Sequence, residues 1–324
     1  MKNVIVTGGA GYIGSHTCKE LYESGYNPVV IDNLSTGNKE HLLWGDFEFG
    51  DIGDKEFLVK VFTKYKPLGI IHFAASSLVG ESITNPNKYY LNNCFNSLNL
   101  LEAMKECHLD KIIFSSTCAI FGIPKKDLID ESCEKNPINS YGKSKLVIEG
   151  MLQDYDIAHG IKSVSLRYFN ACGASKCGKI GEKHDPETHL IPLVIDTSLG
   201  KRKEIKIFGT DYPTRDGTCV RDYIHVEDLA NAHVKSLEYI FKHNKSNQFN
   251  LGVGEGFTVK EIIDCVSKTQ DTKVNAIEVD RRDGDPAILI ADNKKAKNLL
   301  GWNPENSDIT NIITSAVNWH KKDL

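Results

Sequence analysis

The sequence has no apolar run long enough to cross a membrane. A membrane-spanning helix needs about 20 consecutive apolar residues, and none of the apolar stretches here reaches that length. The chain enters its first strand-like segment without a charged leader followed by an apolar signal segment. Repeats and low-complexity tracts are missing too. We therefore expect a cytoplasmic protein with no membrane partner.

An excess of basic charge is also missing. The formal net charge is −4, which offers no general attraction for polyanions, so no nucleic-acid partner is expected. The nine cysteines are odd in number and scattered through apparent helices and strands, unlike a disulfide framework. Cys172 and Cys177 have loop surroundings, but no second close pair of Cys or His completes four-ligand spacing. We expect no metal site.

What is present is a regular alternation of strand-like runs and helical patterns. It predicts a Rossmann fold, a doubly wound parallel sheet, followed by a smaller mixed α/β C-terminal substrate lobe. We expect a first domain over residues 1–170, to which about 224–251 return, and a second lobe from 171–223 and 252–324. Strands are expected near 69–73, 111–115, 163–167 and 249–251, and helices near 87–107, 140–159 and 226–242.

The first strand leads into a glycine pattern typical of dinucleotide binding. A β-branched run ends at Thr7, and Gly8, Gly11 and Gly14 open a helical pattern that continues to about residue 24. Glycines at this spacing permit a tight turn and close backbone approach to a pyrophosphate, which the helix N-terminus then faces. The next strand ends in Asp32, close to the offset expected for an acid that accepts from the adenine ribose. An acid there favours NAD over NADP.

Several polar segments follow predicted strands and should therefore meet at one edge of the sheet. They are residues 73–75, 115–117 and 167–170. Tyr141 and Lys145 lie four apart on a predicted helix and share one face. A close ammonium and an oxidised nicotinamide both favour the phenolate of Tyr141, which makes it a candidate general base. Thr117 is a candidate for orienting the substrate hydroxyl or passing its proton.

With the glycine turn, Asp32 and the Tyr141–Lys145 pair, the chain resembles the extended short-chain dehydrogenase/reductase family, and within it the sugar-nucleotide epimerases. The resemblance covers nearly the whole length. It rests on residues 7–16, 32–34, 50–52, 72–75, 89–93, 167–170, 216–225 and 281–286. The glycines, the tyrosine and the lysine are typical of the superfamily, whereas 217–225 and 281–286 are the more specific segments.

The resemblance implies a set of binding residues. For the cofactor these are Gly8, Gly11, Tyr12, Ile13, Gly14, Asp32, Asn33, Leu34, Ser35, Thr36, Gly37, Asp51, Ile52, Phe73, Ala74, Ala75, Asn92, Tyr141, Lys145 and Phe169. For the substrate they are Thr117, Tyr141, Asn170, Leu190, Phe208, Arg221, Tyr223, Arg282 and Asp285. The two arginines can clamp a diphosphate, and Asp285 can accept from a ribose hydroxyl.

The implied activity is reversible epimerisation of UDP-galactose and UDP-glucose at C4, through a 4-keto sugar and a hydride held by tightly bound NAD. Because the net redox change is zero, the cofactor need not leave. The helices near 87–107 and 140–159 resemble those that form a four-helix dimer interface in this family, so a homodimer is expected. They can equally cover the sheet.

Four residues depart from the family pattern. Phe121 replaces a common tyrosine, which we interpret as a packing change. Ser77 and His189 stand where some members carry a lysine and an asparagine. Leu289 matches a pocket-wall position whose bulk is thought to decide whether an N-acetyl group fits. The acceptance of N-acetylated sugars therefore stays open.

Other functions remain as alternatives. A 4,6-dehydratase shares the fold but needs an Asp and a Glu directly after the matching Thr, and here Cys118 and Ala119 occupy those positions. A decarboxylating relative, or an epimerase for another nucleotide sugar, is favoured over a dehydratase. A non-catalytic NAD sensor is a further alternative, but it would not need the proton-transfer residues Thr117, Tyr141 and Lys145, which are all present.

Overall fold

The computed structural model of the chain describes residues 1–282 and 284–323. Its strands are β1 (Lys2–Thr7), β2 (Tyr26–Asp32), β3 (Asp46–Phe49), β4 (Ile70–His72), β5 (Lys111–Thr117), β6 (Leu128–Ile129), β7 (Lys162–Tyr168), β8 (Asn170–Cys172), β9 (Ile205–Phe208), β10 (Val220–Arg221), β11 (Tyr223–His225), β12 (Asn247–Leu251), β13 (Phe257–Thr258), β14 (Ala276–Val279) and β15 (Ile288–Ala291).

The helices are α1 (Tyr12–Glu23), α2 (Lys55–Tyr65), α3 (Val79–Thr84), α4 (Pro86–Tyr89), α5 (Asn96–Glu106), α6 (Ser140–His159), α7 (Leu190–Ser198), α8 (Val226–His243), α9 (Val259–Gln270), α10 (Lys294–Leu300) and α11 (Ile309–His320). A π-helical turn, Tyr90–Phe95, joins α4 to α5, and short 3-10 helices cover Lys39–His41, Cys118–Phe121 and Lys321–Asp323. None of the described helices is both long and apolar enough to span a bilayer.

Seven parallel strands form the main sheet, in the order β12-β7-β5-β4-β1-β2-β3. Its central strands β1, β4 and β5 carry apolar residues on both faces because helices cover both sides. Side chains alternate: Val4 and Val6 of β1 pack in the core on the α1 and α8 side, whereas Ile5 packs on the side of α2, α5 and α6. The doubly wound Rossmann fold predicted from the sequence is confirmed.

A second core lies between the elements that follow β8. It joins Ile191 and Val194 of α7 to Ile207 of β9, Ile262 of α9 and Ile312 of α11. The small sheets are β13-β10-β15-β6, β11-β8 and β14-β9. These short strands and helices have the mixed character expected for the substrate lobe.

The predicted elements are present, with one informative difference. The predicted helix 87–107 is interrupted by the π-helical turn, which hydrophobic periodicity cannot reveal. Strand β12 pairs in parallel with β7, so the chain returns to the main sheet after the second core has begun. Within the segment 281–286, Asp283 lies outside the described residues. The exact division into domains stays a prediction.

Candidate active site

The turn between β1 and α1 is shaped by glycine. Gly8 has a φ of 74°, and a Cβ there would lie 2.6 Å from the backbone nitrogen of Ala74. A Cβ on Gly14 would lie 2.3 Å from the carbonyl oxygen of Gly8. Gly11 caps α1 without a side-chain hydrogen bond. The first turn of the helix therefore presents backbone N–H groups to a close anionic ligand, so the turn fits a dinucleotide pyrophosphate.

Asp32 lies at the end of β2, beside that turn. Its carboxylate accepts from the backbone N–H of Ala10 at 3.0 Å and of Leu34 at 2.8 Å. Burial raises the pKa of Asp32, although both hydrogen bonds oppose the shift. Gly37 must be glycine here, because a Cβ would lie 2.8 Å from the Asp32 carboxylate. Residues 32–37 thus form the compact loop expected for a ribose site.

Asp51 organises the neighbouring loop. It accepts from Asn33 Nδ2 at 2.6 Å and from the backbone N–H of Gly53 at 2.7 Å. Asn96 Nδ2, in the first turn of α5, lies 3.3 Å from the same carboxylate. Ile52 is buried in the core beside it. Asp51 and Ile52 thus lie beside the loop of residues 32–37.

The segment after β4 is tied to the π-helical turn. Phe73 and Ala74 both donate their backbone N–H to the Thr7 carbonyl, at 2.9 and 3.1 Å, which places residues 73–75 against the glycine turn. Asn92 Nδ2 donates to Ser76 Oγ at 3.1 Å. The adjacent Asn93, which the sequence analysis missed, is buried. Its side chain accepts from Ser76 N at 2.8 Å and donates to Ser144 Oγ of α6 at 3.0 Å.

The start of α6 positions Tyr141 near Thr117. Asn139 caps the helix by accepting from the backbone N–H of Gly142 at 2.8 Å. A Cβ on Gly142 would lie 2.6 Å from the Ala119 carbonyl, so the first turn of α6 packs directly on the turn that follows β5. Thr117 begins that turn and is buried. The side chain of Thr117 interacts with the Tyr141 phenol and lowers its pKa.

Lys145 lies one helical turn after Tyr141 and is buried. Its Nζ donates to the Ser115 carbonyl at 2.8 Å and lies 5.9 Å from the centroid of the Tyr141 ring. Ser115 Oγ is hydrogen-bonded to Tyr168 OH at the end of β7. The predicted trio of Thr117, Tyr141 and Lys145 thus meets at the carboxyl end of β5.

Burial decides the protonation states of Tyr141 and Lys145. It raises the pKa of Tyr141 to about 12, against the interaction with Thr117. It lowers the pKa of Lys145 to about 7. The sequence analysis expected the Lys145 ammonium to favour the phenolate, but desolvation of the Tyr141 phenol outweighs any such effect. Tyr141 is then a neutral phenol at neutral pH, and a further positive charge is needed to ionise it.

A buried ion pair lies along α6 beyond Lys145. Arg167 donates to both carboxylate oxygens of Glu149, from Nε at 2.9 Å and from Nη2 at 2.6 Å. Ser116 Oγ donates to the same carboxylate at 2.6 Å. This network joins β5, β7 and α6 directly behind the trio. It was not predicted from the sequence, because the spacing of residues along the chain does not show which charged residues pair between separate elements.

Two predicted substrate residues bind each other. Arg221 Nη2 donates to Asp285 Oδ1 at 2.7 Å, and Arg221 Nη1 donates to the carbonyls of Val220 and Pro286, both at 2.9 Å. These bonds occupy three of the five guanidinium N–H groups. Within the described chain, two donors of Arg221 are left for a ligand. The Arg221 guanidinium also lies near Cys118, the residue that follows Thr117. Its charge lowers the pKa of Cys118, although burial raises that pKa overall.

The other predicted substrate residues surround this pair. The Arg282 guanidinium lies over the Phe208 ring, with 3.8 Å from Cζ to the ring centroid. Asn170 donates from Nδ2 to the Asp222 carbonyl at 2.9 Å, which links β8 to the connection between β10 and β11. Leu190 is the first residue of α7, and Tyr223 and Phe169 are buried.

Asp222 is a supporting residue that was not predicted. It lies between Arg221 and Tyr223, is fully buried, and accepts backbone N–H groups from Val253, Gly254 and Ala291 at 2.8 to 3.1 Å. Burial raises the pKa of Asp222 to about 6 against these bonds. The acid in the sequence Arg-Asp-Tyr thus ties this segment to the loop after β12 and to the end of β15.

The four departures from the family pattern have distinct surroundings. Phe121 is buried in an apolar cluster with Phe169, which agrees with a packing change. Ser77 is exposed. His189 binds Glu182 rather than any predicted substrate residue, with Nδ1 2.6 Å from Oε1. Leu289 is half-buried on β15, paired in register with Arg221 on β10, and so lies beside the predicted UDP residues.

Fold and site together define a Rossmann-type nucleotide enzyme with a Tyr-x-x-x-Lys pair. The profile of the NAD dependent epimerase/dehydratase family matches residues 4–252. The chain belongs to this family. It is 51% identical to the UDP-glucose 4-epimerase of Rhizobium meliloti (strain 1021) over 320 residues, 99% of this chain and 97% of that one.

Two solved structures are similar to the chain over nearly its whole length. The structure of UDP-glucose 4-epimerase from Brucella ovis in complex with NAD is 48% identical, with a TM-score of 0.95 and 98% of both chains covered. The enzyme of the same name from Bifidobacterium longum, in complex with NAD+ and UDP, is 37% identical, with a TM-score of 0.94 and 99% of both chains covered.

Proposed function

We propose that this chain is an NAD-dependent isomerase that interconverts UDP-galactose and UDP-glucose at C4. The observation that carries the proposal is the meeting of Thr117, Tyr141 and Lys145 at the end of β5, beside the glycine turn and near Arg221. The surrounding chain aligns over 99% of its length with a UDP-glucose 4-epimerase. A dehydratase is disfavoured, because Cys118 and Ala119 follow Thr117 and supply no acid and base.

The chain would hold NAD along the edge of the main sheet. The glycine turn and the first N–H groups of α1 suit the pyrophosphate, and the loop after Asp32 suits the adenine ribose. Asp51 and Ile52 would lie at the adenine, and residues 73–75 at the centre of the cofactor. Asn92, Lys145 and Phe169 would bind the nicotinamide half. Bound NAD supplies the hydride chemistry, by accepting a hydride from C4 and returning it.

Tyr141 would act as the acid and base. As a phenolate it would take the proton of the 4-hydroxyl, and as a phenol it would give that proton back to the oxygen at C4 when the keto group is reduced. Thr117 would orient that hydroxyl. Because burial raises the pKa of Tyr141, its ionisation would depend on the charge of the nicotinamide and of Lys145. Coupling ionisation to the bound cofactor restricts base catalysis to the loaded enzyme.

The UDP group would be held while the sugar turns. Arg221, with two donors left and with Asp285 fixing its plane, suits a diphosphate oxygen. Arg282 and Phe208 would enclose the nucleotide, together with Asn170, Leu190 and Tyr223. Binding energy placed on UDP anchors the substrate without fixing the sugar, which leaves the 4-keto sugar free to rotate.

Domain organisation follows from the same assignment. We assign residues 1–170, with the returning segment of about 224–251, to NAD, and residues 171–223 and 252–324 to the UDP-sugar. The parallel pairing of β12 with β7 supports the return. The second core around α7, α9 and α11 supports a separate substrate lobe.

We also propose a cytosolic homodimer. Leu91, Phe95 and Leu98 follow one another at helical spacing and are exposed, and Val147 on α6 is exposed as well. Large exposed apolar residues on adjacent helices are typical of a protein interface, and a second copy of the chain would pair these helices into a four-helix bundle. A sedimentation mass equal to one chain would contradict this.

The sugar range is a separate question. Leu289 is the proposed pocket wall, and leucine is intermediate in size between residues that admit and residues that exclude an N-acetyl group. UDP-N-acetylhexosamines are therefore a second candidate substrate class.

The decisive experiment incubates the purified protein with UDP-galactose, without added cofactor, and follows the formation of UDP-glucose. Product would establish C4 epimerisation with retained NAD. Parallel reactions with UDP-N-acetylgalactosamine would set the sugar range. If UDP-galactose gave no product even after NAD was added, the proposal would be rejected.

A further inference from the structure

A cluster of potential metal ligands lies in the loop before α7. The sequence carries the pair Glu-x-His twice within eight residues, as Glu182 with His184 and Glu187 with His189. The ligand atoms of these four side chains all lie within 4.8 Å of one another. The sequence analysis expected no metal site because it looked for a second close pair of Cys or His to join Cys172 and Cys177. This repeated pair is the signal that could have found the cluster.

We propose that Glu182, His184, Glu187 and His189 bind one divalent transition-metal ion, with zinc as the favoured ion. Two imidazole nitrogens and two carboxylates form a donor set that suits zinc, and four protein ligands are typical of a structural site. Two carboxylates around a divalent ion, with both imidazoles neutral, also bring the formal charge of the cluster to zero.

Three of the four contacts between histidine and glutamate have the spacing of a tetrahedral site, although they use both oxygens of Glu187. Zinc bonds of about 2.0–2.2 Å place neighbouring ligand atoms about 3.3–3.6 Å apart. His184 Nδ1 lies 3.5 Å from Glu182 Oε1 and 3.3 Å from Glu187 Oε2. His189 Nδ1 lies 3.5 Å from Glu187 Oε1, and the remaining contact, to Glu182 Oε1, is 2.6 Å. One contact has to lengthen for an ion to enter, and the other three already have the required spacing.

Supporting hydrogen bonds hold the Glu187 carboxylate and the Glu182 backbone in place. Glu187 Oε1 accepts from the backbone N–H of Thr188 at 2.7 Å and of His189 at 2.8 Å. The Glu182 carbonyl accepts from Trp319 Nε1 at 2.9 Å, and the Glu182 side chain is only 4% exposed. Such contacts orient ligating groups in metal sites. Two carboxylates held this close, one of them buried, are stabilised by a nearby cation, which an ion or a protonated histidine can supply.

The position of the cluster indicates what the ion would do. The His184 ring packs edge-on against Tyr12, the first residue of α1, with 6.1 Å between ring centroids. His189 directly precedes Leu190, the first residue of α7. An ion at this point would tie the loop to the helix that faces the cofactor at one end and to the predicted substrate helix at the other. Its role would be to fix these segments, without contact to the reacting atoms.

Metal content tests the proposal directly. The purified full-length protein is equilibrated with Zn²⁺, passed through gel filtration over chelating resin, and analysed by plasma mass spectrometry. We expect about one zinc per chain in the unchanged protein. The matched control His159→Ala, which removes an exposed histidine at the end of α6, should retain the same amount. The double variant His184→Ala/His189→Ala should retain close to none.

A second variant tests the proposal in case the double variant fails to fold. Glu187→Gln keeps the size of the side chain and should weaken zinc at least about tenfold in competition with a chromogenic chelator. Far-UV circular dichroism of both variants should match the unchanged protein. With Co²⁺ in place of zinc, the unchanged protein should show the visible absorption of a tetrahedral site, and neither variant should show it at equal cobalt concentration.

Two results would overturn the proposal. One is an unchanged protein that retains no more zinc than the double variant, which would leave protonated histidines as the cations of the cluster. The other is retention of zinc by all variants alike, which would place the metal elsewhere. Neither result bears on epimerisation, because the assay for the ion does not use the sugar.

Discussion

Arg221 and Asp285 form an ion pair, with 2.7 Å between Nη2 and Oδ1, although both are assigned to the same UDP ligand. Asp285 is therefore more than a ribose acceptor, because it also sets the plane of the guanidinium. The carbonyls of Val220 and Pro286 complete that restraint. A ligand then meets an arginine that is already oriented, so little side-chain entropy is lost on binding.

Arg221→Lys tests that orientation. Lysine keeps the charge but cannot make the forked contacts, so a charge-assisted bond worth about 1.5–3 kcal/mol is lost. We expect the KM for UDP-galactose to rise about 10- to 100-fold, with the content of bound NAD unchanged. Arg202→Lys, at an exposed position, is the control. Equal KM values for the two variants would remove Arg221 from the substrate site.

Tyr141→Phe removes the proposed acid and base while keeping the ring. We expect kcat to fall by about 10²- to 10⁴-fold, the usual range for general acid–base catalysis. NAD content and thermal stability should stay close to those of the unchanged protein. Phe121→Tyr, which adds a phenol in the buried cluster behind the site, should not restore activity in this background. Normal turnover of Tyr141→Phe would disprove the assignment.

Lys145 makes stability depend on pH. Burial lowers its pKa to about 7, whereas an unfolded lysine keeps a pKa of about 10.4. Between these values the unfolded chain binds one more proton, so this group makes folding less favourable at low pH, and the penalty fades as pH rises from about 7 to about 10. Lys145→Met removes the penalty.

The melting temperature of Lys145→Met, relative to the unchanged protein, should therefore be higher at pH 6.5 than at pH 9.5, by on the order of a few degrees. Thermal melts of both proteins over that range measure the difference. Lys143→Met, at an exposed site on the same helix, should show no such trend. Lys145→Met should also lose epimerase activity. A constant difference across pH would contradict burial as the cause.

Gly14→Ala should abolish retention of NAD. The added methyl group would lie 2.3 Å from the Gly8 carbonyl, so the turn has to open where the pyrophosphate binds. Gly150→Ala on α6 is the matched control, because its Cβ would meet no atom within 4 Å. The control should keep its NAD and gain up to about 1 kcal/mol of stability. Absorbance of cofactor released on denaturation measures both. Equal NAD content would show that the turn tolerates a side chain.

Glu149→Gln should destabilise the protein strongly. The change leaves the Arg167 guanidinium buried without its partner charge, which typically costs about 3–5 kcal/mol. A fall in melting temperature on the order of 10 °C is expected. The double variant Glu149→Leu/Arg167→Met removes both charges and should be more stable than Glu149→Gln. If the double variant were the less stable of the two, the pair would be a net source of stability.

How much could be predicted from the sequence is clearest at particular residues. Gly8, Gly11, Gly14 and Asp32 were found because backbone conformation and strand ends act over a few neighbours. The four-residue spacing of Tyr141 and Lys145 was found for the same reason. Asn93, Glu149 and Asp222 were missed. Their roles come from partners 17 to 69 positions away, which local patterns do not contain.

The sequence by itself determined the alternation of strands and helices, the glycine turn and the tyrosine–lysine pair, because each depends on local periodicity or conformational freedom. The tertiary structure alone decided how charge is arranged around them. It buried Lys145 and Tyr141 far enough to move their pKa values in opposite directions, paired Arg221 with Asp285, and gathered Glu182 and His189 into one cluster. Desolvation and ion pairing depend on segments that meet only in the folded chain.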